Sequence, residues 1–161
     1  MVYRIPAVNL VGRGCLAQLK DEIGTLGCKK ALVVSDKFLT ENGVVEKVTK
    51  VLDQVGIEHT LYNDVKQNPS VANVEGGLEV LKKENCDFIV SIGGGSPQDC
   101  GKAISVLATN GGKITDYEGV NKSQKKCLPI VAIATTAGTS AEVTINYVIT
   151  DEETHIKMIM V

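Results

Sequence analysis

The chain has 161 residues, 43% of them hydrophobic and 22% charged, which is the size and composition of one ordinary globular domain. Its net charge of −2, with acidic and basic residues interspersed, argues against the basic patch that nucleic-acid or membrane-surface binding requires. No apolar run approaches the roughly 18 residues of a membrane span, and the N-terminus lacks the apolar core of a signal peptide.

Strand and helix patterns alternate along the chain. An extended segment at residues 3–11 is followed by a helix at 14–26 and by an apolar run at 30–35, which is typical of a parallel strand buried on both faces. This alternation predicts an α/β fold with a doubly wound, mainly parallel sheet. The later predicted elements are helix 44–55, strand 57–62, helix 71–83, a strand from Phe88, helix 102–109, strand 128–134, strand 143–150, a turn at 151–153 and strand 156–161.

The most specific motif is Gly93-Gly94-Gly95-Ser96-Pro97-Gln98-Asp99, between the strand from Phe88 and the next helix. Glycines let a ligand approach the backbone, and we expect Ser96 as the helix N-cap, with Pro97 and Asp99 at the first and third helical positions. These features predict a phosphate cradle, with a plain capped turn as the alternative. Gln98 replaces the third glycine of the usual dinucleotide fingerprint, and no Walker A loop is present.

Two further polar clusters follow predicted strands. Asp36 comes directly after strand 30–35, where a carboxylate can accept the hydroxyls of an adenosine ribose and repel a 2′-phosphate. The spacing fits a helix cap equally well, and Lys37 beside it could weaken the discrimination. Residues 135–140 carry hydroxyls that could contact the nicotinamide half of a cofactor or form only a polar turn. Because parallel strands end at one edge, we expect all three clusters on that side.

Cysteine and histidine residues form no known metal or disulfide pattern. The five cysteines are widely spaced and contain no C-x-x-C, which predicts reduced thiols and a cytoplasmic protein. Cys100 is interpreted as a small packed helix residue, and His59 and His155 as surface or structural residues. The sequence therefore predicts a nucleotide site, with no catalytic residue and no metal ligand in this chain.

Residues Gly93–Asp99 and Thr135–Asp151, together with Asn42–Thr49, resemble the iron-containing, group III alcohol dehydrogenases. The resemblance runs the whole length of the chain and is closest to members that act on lactaldehyde and 1,2-propanediol. It covers only the N-terminal, cofactor-binding domain of a fold that the family shares with dehydroquinate synthase. It implies that residues 1–161 are an NAD-binding domain, and that the helical domain carrying one aspartate and three histidines as ligands of divalent iron, or zinc, is absent from this chain.

Carried over by position, the resemblance implies a set of cofactor contacts. Asp36 would bind the adenosine ribose, Asn68 would line the cleft, and residues 95–99 would hold the pyrophosphate. The threonines after strand 128–134 would contact the nicotinamide half, and Lys157 would reach its ribose. The complete set is Asp36, Asn68, Gly94, Gly95, Ser96, Pro97, Gln98, Asp99, Thr135, Thr136, Thr139 and Lys157.

The resemblance implies an NAD- and metal-dependent oxidoreductase that acts on a short alcohol or diol, is active only as the intact protein and forms a homodimer through the edge at residues 3–11. Two alternatives remain: a nucleotide-binding module without catalysis, and a relative of glycerol dehydrogenase or dehydroquinate synthase. The chain ends inside the apolar run 158–161, so we expect it to be the front part of a longer protein.

Overall fold

The structure, a computed structural model, describes residues 6–161. Runs rich in apolar residues form most of its strands, and segments with apolar residues at helical spacing form its longer helices. The strands are β1 (Lys30–Val34), β2 (Glu58–Tyr62), β3 (Phe88–Gly93), β4 (Ile130–Ala134), β5 (Tyr147–Asp151) and β6 (Ile156–Met160). The helices are α1 (Leu19–Thr25), α2 (Lys37–Glu41), α3 (Val44–Gln54), α4 (Val71–Lys83) and α5 (Gly95–Asn110), with 3₁₀ turns at Cys15–Gln18 and Ile114–Tyr117.

Four strands form a parallel sheet in the order β2-β1-β3-β4. All six residues of β3 are buried, because helices cover both faces of the sheet. One core joins alternate residues of β1 and β3 to α4 and α5, and a second joins the opposite residues to α1 and α3. The expected doubly wound, mainly parallel sheet is confirmed.

Strands β5 and β6 form a separate antiparallel hairpin that packs against α5. Its inner residues, Ile149, Met158 and Met160, are buried in the same core as α5. A bridge between Ser70 and Thr150 ties the hairpin to the start of α4. The hairpin therefore reaches the loop after β2, close to the carboxyl edge of the parallel sheet.

Several predicted boundaries differ from the structure. Residues 143–146 form a turn and a bend before β5, and α2 was not predicted, because its five residues carry no helical repeat of apolar side chains. Residues 6–11 have no regular secondary structure, and residues 3–5 of the predicted extended segment lie outside the described residues. In the described part of the chain, every helix is too short or too polar to cross a membrane.

Candidate functional site

The three polar clusters come together at the carboxyl ends of β1, β3 and β4, as expected. The N–H of Thr135 donates to the carbonyl of Gly93, so the loop after β4 starts beside the glycine turn after β3. A cleft of about 320 Å³ lies where the ends of β1 and β3 meet the loop after β2. Its lining consists of Asp36, Phe38, Val65, Lys66, Gln67, Gly94, Gly95, Ser96 and Pro97.

The three glycines of the turn differ in how much space the fold leaves for a side chain. Gly93 has a φ of +152°, and a Cβ there would lie 2.5 Å from Cγ of Pro97, so the fold itself requires glycine. A Cβ on Gly94 would lie 2.9 Å from Oγ1 of Thr136. A Cβ on Gly95, the first residue of α5, would lie 3.7 Å from its nearest neighbour, Thr139, and Gly95 is not among the glycines with a positive φ. The fold tolerates a side chain at Gly95, so the bare backbone there fits a ligand that lies against it.

Helix α5 begins earlier than its cap residues predict. Its N-cap is Gly94, so Ser96 is not the N-cap, and Pro97 and Asp99 occupy the third and fifth helical positions. The hydroxyl of Ser96 instead accepts a hydrogen bond from the N–H of Asn68, at 3.2 Å. The first N–H groups of α5 are therefore left without a side-chain cap and lie at the cleft, where an anionic group can accept from them.

Asp36 serves as the N-cap of α2, which was one of its two predicted roles. Its Oδ1 accepts from the N–H of Leu39 at 2.8 Å, and a carboxylate has a second oxygen with which to accept from a ligand hydroxyl. Lys37 is held in an ion pair with Asp64, with 2.9 Å between Nζ and Oδ1. The neighbouring cation is thus paired with another acid, which leaves Asp36 and Lys66 as the two charged residues of the cleft lining.

Asn68 and Lys157, far apart in sequence, are in direct contact. The ammonium of Lys157 on β6 donates to Oδ1 of Asn68 at 2.9 Å, and Asn68 adopts a φ of +55°. Ser70, not Asn68, is the N-cap of α4, and it forms a capping box with Asn73. Asn68 instead links the hairpin to the glycine turn, through Lys157 on one side and Ser96 on the other.

Gln98 lies beneath the glycine turn and not on its surface. Its side chain is 1% exposed, and its Oε1 accepts from the hydroxyl of Ser91 on β3 at 2.6 Å. Its Nε2 has no hydrogen-bond partner among the described residues. Gln98 therefore packs α5 against the sheet below the turn, and any effect on a cofactor is through the position of the turn.

Asp99 anchors the hairpin to α5. Its Oδ2 accepts from the N–H of Val148, and the ammonium of Lys102, one helical turn on, donates to the carbonyl of Asn146 at 2.7 Å. Burial raises the pKa of the Asp99 carboxyl, against the opposing effects of the Val148 N–H and of Lys102. Burial also lowers the pKa of the Lys102 ammonium, opposed by Asp99 and Glu142. The N-terminal half of α5 thus contacts both the cleft and the hairpin.

We expect Asp99→Ala to lower the free energy of unfolding by about 1–3 kcal/mol, because it leaves the partly buried N–H of Val148 without its acceptor. Asp99→Asn keeps an acceptor oxygen and should lose less than the alanine variant. Urea unfolding of the three proteins measures the difference. Equal stability of the alanine variant and the unmutated protein would contradict the anchoring role.

The three threonines after β4 lie on the exposed side of this edge. Thr136 faces Gly94, and Thr139 faces Gly95, where its hydroxyl accepts from the N–H of Ala141. Thr135 extends the pairing of β3 and β4 by one hydrogen bond. Thr136 and Thr139 therefore flank the glycine turn, where a ligand that crosses the turn would meet them.

Cys100, His59 and His155 are not among the residues that line the cleft. Burial raises the pKa of the Cys100 thiol, and the side chain is fully buried, which agrees with its interpretation as a packed helix residue. His59 contacts Asp53 at 3.0 Å, and His155 lies in the hairpin turn with a φ of +58°. Within residues 6–161, no three His, Cys, Asp or Glu side chains come together in a way that could hold a metal ion.

Sequence reasoning missed the wall of the cleft that the loop after β2 provides. Val65, Lys66 and Gln67 line it, together with Phe38 of α2. A second cleft of about 310 Å³ shares Lys66 and Gln67 and extends to Lys157. No local pattern marks these residues, although the loop follows a predicted strand and therefore had to reach the same edge.

Comparison with known proteins identifies what the chain resembles. The model of the family described as "Iron-containing alcohol dehydrogenase" matches residues 6–161. The chain is 52% identical over 159 residues to alcohol dehydrogenase 4 of Schizosaccharomyces pombe, covering 99% of this chain and 38% of that protein. It is 46% identical over 152 residues to lactaldehyde reductase of Escherichia coli, covering 93% of this chain and 40% of that protein.

A solved structure agrees with these sequence matches. The crystal structure of sulfoacetaldehyde reductase from Bifidobacterium kashiwanohense, in complex with NAD⁺, superposes with a TM-score of 0.88 at 32% identity, covering 99% of this chain and 42% of that one. The chain thus spans about two fifths of the length of the relatives that it matches.

Proposed function

The chain belongs to the iron-containing alcohol dehydrogenase family, and from this premise we propose that residues 1–161 are the NAD-binding part of an alcohol or aldehyde oxidoreductase. The observation that carries the proposal is the bare backbone of Gly95, at a helix start where the fold would tolerate a side chain. An extended dinucleotide fits the row of sites that runs along the edge from β1 to β4.

Each part of that row offers a different chemistry. The N–H groups at the start of α5 donate to a pyrophosphate, and the helix dipole favours its negative charge. Asp36 accepts from the hydroxyls of the adenosine ribose. The hydroxyls of Thr135, Thr136 and Thr139 orient the nicotinamide half, and Lys157, positioned by Asn68, donates to its ribose. These residues position the cofactor, whose own chemistry when bound is the transfer of a hydride.

We propose a short alcohol or diol, or the corresponding aldehyde, as the substrate of the intact protein. Support comes from the family and from relatives named as alcohol dehydrogenase and lactaldehyde reductase. Because the described residues bring no three metal-binding side chains together, no step of the proposal runs through a metal held by this chain. We also propose that the intact protein is a cytoplasmic homodimer that requires iron or zinc.

We expect the isolated 161-residue chain to bind NADH weakly and to show no turnover of 1,2-propanediol, ethanol or glycerol above a metal-only background. The cleft is open on one side, and the nicotinamide end of the row consists of exposed threonines, so only part of the cofactor would be enclosed. Fluorescence titration with NADH and steady-state assays with NAD⁺ and added ferrous or zinc ions measure both quantities.

Two results would contradict the proposal. Turnover by the isolated chain would reveal a catalytic centre within residues 1–161. Absence of NADH binding by the intact protein would remove the cofactor assignment. NADH binding by an intact protein that oxidises none of the three alcohols would favour the nucleotide-binding module without catalysis.

A further inference from the structure

One of the two phenylalanines of the chain is exposed beside the cleft. Phe88 on β3 is fully buried, whereas Phe38 on α2 is 70% exposed. Leu39 packs α2 against the core shared with α3, and Phe38 belongs to neither core. A single exposed apolar residue is ordinary on a protein surface, so exposure alone does not indicate a role for Phe38. Its position beside the cleft does.

Phe38 lines the same cleft as Asp36 and the glycine turn, with Val65 also in its lining. The strand order places the end of β1, with Asp36, between the glycine turn after β3 and the loop with Val65 after β2. A nucleotide whose pyrophosphate lies on the start of α5 and whose ribose lies at Asp36 must therefore direct its base toward Phe38 and Val65. Both side chains are apolar, so they can pack against the two faces of a planar base.

From this placement we propose that Phe38 forms one wall of the slot for the purine base of the cofactor and stacks on adenine, with Val65 in the opposite wall. The inference rests on the proposed function and adds to it the residue that holds the base. An aromatic ring gains by stacking on any base and by covering it from water, so Phe38 contributes affinity for the adenosine half and not for the nicotinamide half.

The slot also gives the exposed ring a reason to lie where it does. The five-residue helix α2 presents Phe38 two residues after Asp36, so one short element carries the residues for both the ribose and the base. The helix is fixed by the Asp36 cap and by the side chain of Thr40, which donates to the carbonyl of Asp36 at 2.8 Å. The backbone that carries the ring is thus fixed before any ligand arrives.

The test compares the affinity of the intact protein for ADP, for NADH and for reduced nicotinamide mononucleotide, which lacks the adenosine half. Phe38→Ala should weaken ADP and NADH binding at least about fivefold, because adenine loses the aromatic face on which it stacks. Phe38→Tyr keeps the ring and should stay within about twofold of the unmutated protein. Leu61→Ala is the matched control. Leu61 is a 37% exposed residue of β2 outside the cleft lining, so its truncation should leave the affinity for all three ligands unchanged.

The outcomes separate this inference from the proposed function. If the unmutated protein binds NADH and Phe38→Ala binds ADP equally well, the base slot is wrong and the cofactor assignment stands. A matching loss of affinity for the mononucleotide would also overturn the slot, because that probe has no adenine to stack on Phe38. If the unmutated protein binds neither NADH nor ADP, both the slot and the proposed function are wrong.

Discussion

Replacing Gly95 by valine should weaken NADH binding at least tenfold, or about 1.4 kcal/mol, while the protein stays folded. The added side chain would occupy the place where the phosphate approaches the backbone of α5, yet its Cβ would lie 3.7 Å from Thr139, an ordinary contact distance. Calorimetric titration with NADH measures the affinity, and thermal unfolding measures the stability of the same variant.

Gly24→Val is the matched control, because Gly24 lies in α1, has no positive φ and has no heavy atom within 4 Å of an added Cβ. The control should leave NADH affinity unchanged. Gly94→Val would also reduce binding, but its Cβ would lie 2.9 Å from Oγ1 of Thr136. A loss of affinity in that variant could come from the clash with Thr136 as well as from the blocked phosphate site. Unchanged NADH affinity in a folded Gly95→Val protein would show that the glycine turn does not bind the pyrophosphate of the cofactor.

Replacing Asp36 by asparagine should reduce the preference of the intact protein for NAD over NADP at least tenfold. Two unit charges 4 Å apart interact by about 1 kcal/mol in water and by about 4 kcal/mol at an effective dielectric constant of 20. Asparagine keeps an oxygen that can cap α2 at Leu39, so the change isolates the charge. Dissociation constants for both cofactors, measured on both proteins, give the ratio.

Two comparisons complete this test. Asp36→Gly should also reduce the difference in affinity between NAD and NADP. Loss of the side-chain cap of α2 should lower the free energy of unfolding by about a few tenths of a kcal/mol. Asp21→Asn, in the first turn of α1, removes a charge elsewhere and should leave the ratio unchanged. Equal affinities for NAD and NADP in the unmutated protein would contradict the ribose assignment of Asp36.

The fold followed from local patterns because the elements of a doubly wound sheet are formed by contiguous residues. The buried runs at 30–35 and 88–92 and the helical repeat at 71–83 each carry their own signal, and parallel strands must place their ends at one edge. The residues at that edge, Asp36, the glycine turn and the threonines after β4, were therefore predictable as a group.

The sequence also identified a helix start at the glycine turn but placed it two residues late. Ser96, Pro97 and Asp99 have the residue types of cap positions, yet the helix begins at Gly95. Their side chains are used across the fold instead, by Asn68 for Ser96 and by Val148 for Asp99. Local propensity cannot foresee this, because the partners come from the loop after β2 and from the hairpin.

The sequence alone therefore determined the architecture, the edge at which a ligand would lie and the glycine turn that would receive it, since each depends on neighbouring residues. Only the tertiary structure decided which side chains complete the site. Phe38, Val65 and the contact of Lys157 with Asn68, 89 residues apart, meet because the sheet order and the docked hairpin bring distant segments together. Such contacts reflect packing between elements, which no local pattern of residues encodes.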